Sequence, residues 1–467
     1  MKNHDQQNRL NLRANWLKSN LPAKIVNLCR RNNINIPVAD PTAALSEPDD
    51  WGNWQWHVQH RLSSVEELLA IRPEYAGQET ALMDWLESYD LSILPLNQFQ
   101  PDGIKKFLPQ PGLILASDPY GVQQEHALVL QEENGKKFYL ATRKPQYVTF
   151  LPIISGGARR IYCPIGCHGC YRGPQTRFNE PLSLIKKDGS REEIFMLQPL
   201  EQIVGLVEQW NNDPQYKEVY DILISGGEPM MLSNAAWKAL LIELQKAKYL
   251  RSFRICTGAL FLGLPFRFDE EFIKLLTDFR DQTGITVKLS VHVSHPDNIT
   301  PEAILYARRL IEAGIELLPQ CPLEAGVNFW LNDLERSEKT LRELDRLLAT
   351  AVGIRNYKWI IDMQRRRVNE GVSILSAIKV WQHLHDCHQG ESDITRPTSL
   401  ALFFPHERGN LNLSYHSLWA IKMRVERKSG LVHYQIPHPA GGWLDYEEPL
   451  WAGVNDSRSI LEKMKEK

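Results

Sequence analysis

The stretch Asp221-Ile-Leu-Ile-Ser225-Gly-Gly-Glu228-Pro229 is a short apolar strand that ends in two glycines, a carboxylate and a proline. Similar β-rich runs lie on both sides of it along the chain, at 147–154, 252–256, 286–293, 315–320 and 357–362. Segments with helical patterning follow the strands, at 200–210, 234–247, 270–279, 301–313 and 337–351. Strands that alternate with helices predict parallel βαβ units that close into a barrel or part of one. In such a fold the functional residues lie at the carboxyl ends of the strands.

This patterning divides the chain into three predicted regions. Residues 1–130 contain helical pieces with polar and proline-rich breaks and predict an N-terminal, mainly helical region. Residues 131–370 hold the alternating strands and helices, and 371–467 add a helix and extended segments that predict a C-terminal extension over the active site. The predicted fold class is α/β, a partial (βα)6 TIM-like barrel with these two appended regions.

Composition narrows the classes of function. The 467 residues are 43% hydrophobic, which is enough for a large core, and 54 Lys and Arg nearly balance 56 Asp and Glu. Such a balance gives no net field to recruit nucleic acid or a membrane surface. The polar N-terminus and the lack of a long apolar run predict a cytoplasmic protein. Seven cysteines are too few for a disulfide scaffold in so long a chain.

Three of the cysteines are closely spaced. The run Cys163-Pro-Ile-Gly-Cys167-His-Gly-Cys170 lies near the first strand of the βα series. A [4Fe-4S] cluster has four irons, so three thiolates leave one iron without a protein ligand. In radical S-adenosylmethionine (SAM) chemistry, the methionine part of SAM chelates that iron, and an electron from the cluster cleaves SAM to a 5′-deoxyadenosyl radical. A zinc site and a ferredoxin-like electron carrier are the alternatives, but zinc sites usually add a second cysteine pair and ferredoxins a fourth cysteine.

The glycine-rich strand end supports the same interpretation. Glycines let the backbone approach a ligand, and a glutamate can accept a hydrogen bond from a cationic amino group. A strand followed by two glycines is by itself more often a tight turn. Its position after the cysteines, at the end of the next strand, matches the place where SAM would be held. The residues predicted to bind SAM here are Ser225, Gly226, Gly227 and Glu228.

At this point the sequence resembles a known family, the lysine 2,3-aminomutase family of radical SAM enzymes, from about Asp50 to Tyr446. The segments that carry the resemblance are the tryptophan-rich run at 50–68, Pro265-Phe-Arg267, His292-Val-Ser-His295-Pro296, and 313–328 around Gln320. The resemblance implies a partial (βα)6 barrel, a [4Fe-4S] cluster, SAM, pyridoxal phosphate (PLP), and migration of an amino group between adjacent carbons. It also places His292 and Gln320 among the cofactor-binding residues.

The resemblance implies two substrate-binding residues. Arg172, two residues after Cys170, matches an arginine that grips an amino acid carboxylate, a task suited to a bidentate guanidinium. Asp362, which ends the sixth strand, matches an aspartate that pairs with the distal amino group of lysine. A carboxylate at that position can equally cap a helix or form a surface ion pair.

The sequence departs from the family where PLP should bind. The family forms its PLP Schiff base with a lysine in a glycine-rich loop, whereas the matching stretch here is 403–412 or, in another alignment, 437–444, and neither contains lysine. Lys422 and Lys428 lie nearby among polar residues. A Schiff base requires a primary amine, so the expectation for PLP stays open. A glycine-proline insertion between Arg172 and Arg177, and a basic run at Arg365, Arg366 and Arg367, also indicate a changed substrate.

Two classes of function follow. In the first, the chain is an enzyme whose adenosyl radical removes hydrogen from an amino acid or a derivative, either with PLP and 2,3-amino migration or without PLP on another amino-acid-derived or peptide substrate. The expected partners of such an enzyme are an external electron donor, such as flavodoxin or ferredoxin, and further copies of the chain in a homo-oligomer. In the second, it is a non-catalytic iron-sulfur redox protein. The run His383-Leu-His385-Asp-Cys387-His388 has metal-capable side chains at helical spacing. The sequence shows no second pair of ligands beside it, so the run does not indicate a zinc site.

Overall fold

A computed structural model of the chain describes most of its residues. The described ranges are 2–38, 48–77, 79–80, 83, 91–108, 128–143, 147–150, 163–167, 170, 183–185, 191–196, 200–214, 218–354, 356–362, 372–386, 399–403, 410–413, 420–437 and 442–465. Within them no helix is both long and apolar enough to cross a membrane.

The described part contains the following helices. They are α1 (Lys2–Asn20), α2 (Ala23–Arg31), α3 (Trp54–Gln59), α4 (Val65–Ile71), α5 (Leu200–Asn212), α6 (Asn234–Leu244), α7 (Glu270–Thr283), α8 (Pro301–Glu312), α9 (Leu334–Leu347), α10 (Ile374–Asp386) and α11 (Arg458–Lys465). The first four lie in the predicted N-terminal region, as its helical patterning indicates.

The strands form two sheets. They are β1 (Leu128–Glu133), β2 (Lys136–Arg143), β3 (Tyr147–Phe150), β4 (Ser183–Ile185), β5 (Arg191–Met196), β6 (Asp221–Ile224), β7 (Ser252–Thr257), β8 (Thr286–His292), β9 (Glu316–Pro322), β10 (Lys358–Asp362), β11 (Ser399–Phe403), β12 (Asn410–Leu413), β13 (Lys422–Glu426), β14 (Leu431–Pro437) and β15 (Trp443–Pro449). The last three form a separate antiparallel sheet, and the others form one large sheet.

The centre of the large sheet is a curled arc of parallel strands, in the order β3, β6, β7, β8, β9, β10 and β11. The predicted α/β class and partial TIM-like barrel are therefore confirmed. The arc has a seventh parallel strand, β11, in a segment that the sequence indicated only as extended chain of the C-terminal extension. Its five residues pair in parallel with all five residues of β10. The boundaries at residues 130 and 370 stay predictions.

Helices of the arc begin at residues whose side chains cap them. The side chains of Ser233, Asp269, Thr300 and Asp333 accept hydrogen bonds from backbone N–H groups of the first turns of α6, α7, α8 and α9. These donors would otherwise have no partner, so each cap fixes the residue at which a loop becomes a helix. The site lies in the loops that follow the preceding strands. Each cap fixes the end of such a loop that leads into the helix.

Alternation along the strands separates the two faces of the arc. In β7, Phe253 and Ile255 are fully buried on the outer face, where Phe253 meets Trp237 of α6 and Phe279 of α7 at ring-centroid distances of 6.3 and 6.0 Å. The residues between them point into the arc, because successive side chains of a strand face opposite sides. The outer face forms the apolar core under the helices, which leaves the inner face for polar groups.

A buried ion pair fixes the N-terminal helices to the arc. The Arg13 guanidinium of α1 donates to both carboxylate oxygens of Glu302 in α8, at 2.8 and 3.1 Å, and Trp51 Nε1 donates to the same carboxylate at 3.3 Å. Burial alone would raise the pKa of Glu302, but the charge and hydrogen bonds of Arg13 outweigh it and hold that pKa below its usual value. The carboxylate is therefore ionised, and it is buried only because Arg13 pairs with it.

We predict that Arg13→Ala lowers the free energy of unfolding by about 3 kcal/mol, because it leaves the Glu302 charge buried and unpaired. The chain offers a matched control in Lys24 of α2, which pairs with Glu312 of the same helix α8 at 2.6 Å, with both side chains more than half exposed. Lys24→Ala should cost less than about 1 kcal/mol. Urea denaturation followed by circular dichroism measures both, and equal losses would contradict the assignment.

Candidate functional site

One cavity of about 190 Å³ lies at the carboxyl ends of the central parallel strands. It is lined by the three closely spaced cysteines, by all four residues of the Ser225 to Glu228 stretch, and by His292 and Gln320. The structure thus brings together nine residues that the sequence predicts to bind a cluster or SAM. They come from separate segments, between Cys163 and Gln320, that parallel pairing places side by side.

The cysteine loop is seated on the N-terminal region. Ser92 Oγ donates to the Pro164 carbonyl at 2.5 Å, and Gly166 adopts φ +74°, a left-handed conformation. A Cβ atom on Gly166 would lie 2.4 Å from the Ser92 carbonyl oxygen, so only glycine fits there without displacing the chain. Ile165 of the same loop packs against Gly258. A Cβ atom added to Gly258 would lie 3.0 Å from Ile165 Cδ1.

The thiols of this loop fit a cluster in their chemistry. Cys163, Cys167 and Cys170 are half-buried, and burial, together with the charges of Glu228 and of the other two cysteines, raises the pKa of Cys163 well above its usual value. Thiolates in such a place need a cation, which iron supplies. Among the described residues, no three His, Cys, Asp or Glu side chains converge closely enough to hold a single metal ion. In a four-iron cluster each thiolate binds a different iron, so its ligands do not have to meet at one ion.

Glu228 connects the loops that follow β6 and β7. Its buried carboxylate accepts hydrogen bonds from Thr257 Oγ1 at 2.6 Å, from the Gly258 N–H at 2.9 Å and from the Met230 N–H at 3.0 Å. Burial raises the pKa of Glu228 to about 7, although these three donors oppose that rise. The carboxyl group therefore ties the loops after β6 and β7 together and also lines the cavity.

Arg267, in the Pro265-Phe-Arg267 segment, fixes the loop that follows β6. Its guanidinium donates to the carbonyl of Met230 at 2.8 Å and to the carbonyl of Leu232 at 2.6 Å, and it is almost fully buried. Arg267 does not line the cavity. It fixes the chain that directly follows Glu228 and Pro229, so this segment of the family resemblance has a supporting place in the structure.

Sequence reasoning missed several residues of the cavity, among them Cys256 and Ser290. Cys256 was not among the predicted site residues, but it lines the cavity, and burial raises its pKa to about 11. Ser290 also lines the cavity, and its buried Oγ has no hydrogen-bond partner among the described residues. A buried hydroxyl without a partner is costly, so a ligand atom is expected beside it. Period-2 alternation was the available signal, because Ser290 lies two residues before His292 on one strand.

Other predicted residues fall partly or wholly outside the described part of the structure. Arg172, Arg177, the basic run at 365–367, Cys387 and His388 lie outside it, as do the side chains of Asp362 and His385. Asp362 ends β10, as the sequence indicates. The His383 ring in α10 pairs with the carboxylate of Glu338 in α9. The roles of Arg172 and Asp362 remain predictions.

The described residues do not supply the expected PLP amine. The chain has no lysine between Lys379 and Lys422, an interval that includes the 403–412 stretch. Lys379 is exposed on α10, and Lys422 lies in the separate sheet with its Nζ 4.1 Å from the centre of the Trp443 ring. No lysine lines the cavity in the described part of the chain. The residues present therefore do not fit a PLP Schiff base at the family's position.

Comparison with known proteins gives relatives of one kind. No family model matches the chain. It is 25% identical over 282 residues to L-lysine 2,3-aminomutase of Clostridium subterminale, covering 60% of each chain. It is 23% identical over 290 residues to glutamate 2,3-aminomutase of Clostridioides difficile, covering 60% of each chain. The chain thus spans about 60% of the length of these relatives.

The chain is thus similar to lysine and glutamate 2,3-aminomutases, in agreement with the resemblance that its sequence segments carry. Among solved structures, a radical SAM methyltransferase from Sphaerobacter thermophilus aligns with 59% of this chain and 77% of its own, at 15% identity and a TM-score of 0.35. The cavity described above, which holds the nine predicted residues, is the candidate functional site of this chain.

We predict that Gly166→Ala abolishes most iron loading of this chain, because the new Cβ atom collides with Ser92 and moves the cysteine loop. Gly430→Ala is the matched control, since Gly430 has a similar φ of +67° but no atom within 4 Å of an added Cβ. Iron and sulfide per chain after anaerobic reconstitution measure the effect. Normal iron content in Gly166→Ala would contradict the placement of the loop.

Proposed function

We propose that this chain is a radical SAM enzyme that uses a [4Fe-4S] cluster on Cys163, Cys167 and Cys170 to act on an amino acid or an amino-acid-derived substrate. The observation that supports it most is the convergence of these cysteines with the Ser225 to Glu228 stretch, His292 and Gln320 in one cavity. The relatives named as 2,3-aminomutases support an amino acid as the substrate class.

The residues of the chain have distinct tasks in this proposal. The cysteine loop holds three irons, and when bound the cluster supplies the electron that cleaves SAM to a 5′-deoxyadenosyl radical. Glu228 accepts a hydrogen bond from the amino group of SAM, while Thr257 and Gly258 hold its carboxylate in position.

The type of reaction has two versions. The family resemblance favours 2,3-amino migration with PLP, whereas the lack of any lysine from 380 to 421 favours a reaction without PLP. Protein produced with added PLP separates them. An absorbance band that shifts on borohydride treatment supports the first version, and its absence supports the second. An external electron donor such as flavodoxin or ferredoxin, and assembly into a homo-oligomer, stay predictions.

We predict that anaerobically reconstituted protein forms 5′-deoxyadenosine from SAM in the presence of dithionite, because the three thiolates leave one iron open. Cys163→Ala, Cys167→Ala and Cys170→Ala should each lower this rate at least a hundredfold. Cys321→Ala is the matched control, since Cys321 is fully buried on β9 and does not line the cavity. Liquid chromatography of the nucleoside measures the product. A protein that carries a cluster and forms no 5′-deoxyadenosine would instead be a non-catalytic iron-sulfur redox protein.

We predict that Glu228→Gln raises the SAM concentration for half-maximal 5′-deoxyadenosine formation about tenfold, at unchanged iron content. A hydrogen bond to a charged group contributes about 1.5–3 kcal/mol, and glutamine lacks the charge and turns an amide N–H₂ toward existing donors. Thr257→Val is the control, since it removes one donor but keeps the carboxylate. An equal effect of both substitutions would assign Glu228 a structural role only.

A further inference from the structure

Charged side chains occupy the inner face of the arc below the cavity. Cys256 and Ser290 line the cavity, so Arg254 and Lys288, each two residues earlier on the same strands, point into the same interior. Asp221 and Glu316 also face inward, because each lies four residues before a residue that lines the cavity. These residues are Ser225 and Gln320 respectively. An inner face that carries charges instead of aliphatic layers is open to a polar ligand.

Most of these charges are already neutralised by neighbours. Arg254 Nε lies 2.7 Å from Asp221 Oδ2, across the β6–β7 pair. Lys288 Nζ lies 2.7 Å from Glu316 Oε2, across the β8–β9 pair. Each pair joins adjacent strands, so each of these two cations already has a carboxylate partner.

Lys358 is the exception. It begins β10 and is half-buried, and its Cα pairs with that of Gln320, which lines the cavity. Ile360, two residues later, also lines the cavity, whereas Trp359 between them points outward to Asp345 of α9. Lys358 therefore points into the barrel beside the cavity. Within the described ranges it makes no hydrogen bond or ion pair.

An uncompensated cation in this place favours one kind of ligand. Burial, and secondarily the charge of Arg254, lower the pKa of Lys358, so its charged form lacks a stabilising partner. A carboxylate beside it would supply that partner, while a ligand ammonium group would be repelled. Glu228 does not neutralise Lys358, because it follows β6, four strands away along the arc, and its oxygens accept from other donors.

We propose that Lys358 binds a carboxylate on the side chain of the substrate, so that the chain acts on an acidic amino acid and not on one with a cationic side chain. The inference rests on the proposed radical SAM function and goes further by naming the substrate class.

The test measures 5′-deoxyadenosine formation by the reconstituted full-length protein at varied concentrations of L-glutamate, L-glutamine and L-lysine. Glutamine has nearly the shape of glutamate without its side-chain charge. L-glutamate should stimulate at a concentration at least about tenfold lower than either of the others, as the energy of a charge-assisted hydrogen bond predicts. Equal responses to glutamate and glutamine, or no response to glutamate, would overturn the proposal.

Variants of Lys358 give the second arm. Lys358→Met should raise the half-stimulating glutamate concentration at least about tenfold without changing that of glutamine, Lys358→Arg should largely keep it, and Lys358→Glu should shift the preference toward L-lysine. Lys379→Met, an exposed lysine on α10, is the matched control and should change nothing. Iron content and circular dichroism verify folding, and Lys358→Gln replaces Lys358→Met if that variant misfolds. An unchanged glutamate response in the folded variant would overturn the proposal.

The two levels of proposal fail differently. If wild-type protein with an intact cluster forms no 5′-deoxyadenosine under any condition, the proposed radical SAM function is wrong. If SAM cleavage occurs without a preference for glutamate over glutamine, that function stands and the assignment of Lys358 is wrong.

Discussion

The strict alternation of side chains along the parallel strands is the constraint on which the rest of the structure depends. In β7 it sends Phe253 and Ile255 outward into the layer of helices and turns Arg254 and Cys256 inward. The outer residues supply the apolar burial that stabilises the arc, at about 25 cal/mol for each Å² removed from water. Because the core is built on that side, the inner face does not have to be apolar. It can carry thiols, hydroxyls and charges, and every proposed function of the chain uses that freedom.

Loops at the strand ends are rigid because each is tied to a different neighbour. The cysteine loop is held by Ser92 from the N-terminal region, and the loop after β6 by Thr257 and by Arg267. A site assembled from such loops keeps its geometry only if these supports stay in place. Catalytic groups tolerate only displacements that are well under 1 Å. The N-terminal region therefore supports the site through Ser92, although none of its described residues lines the cavity. The Arg13–Glu302 pair fixes α1 and Trp51 to the barrel helix α8.

The sequence predicted the parts of the fold that depend on local pattern. The six strands have alternating or apolar patterning and are followed by helices, so their order and parallel pairing followed from general rules. The seventh strand, β11, was missed because a turn-rich stretch and a short apolar run of five residues resemble an edge segment as much as a barrel strand. Cys163, Cys167 and Cys170 were found by spacing. Ser290 was not found, although alternation with His292 on one strand gave a signal, and Cys256 and Lys358 were not found because their importance comes from the register of neighbouring strands, which a single sequence does not contain.

The charge of the inner face and the missing lysine bear on the same question of substrate. An enzyme that forms a PLP Schiff base near the C-terminal end of its barrel needs an amine there, and from 380 to 421 the chain has none. It has instead Lys358 at the start of β10, at the end of that strand opposite to its carboxyl end. Lys358 is in register with Gln320 of β9. A cation at that depth acts on whatever part of the ligand reaches furthest into the barrel. Since Arg254 and Lys288 are already paired, the ligand group that we propose beside Lys358 is a negative one. The proposed function thus combines a scaffold that resembles the 2,3-aminomutases with an inner face that selects an acidic substrate.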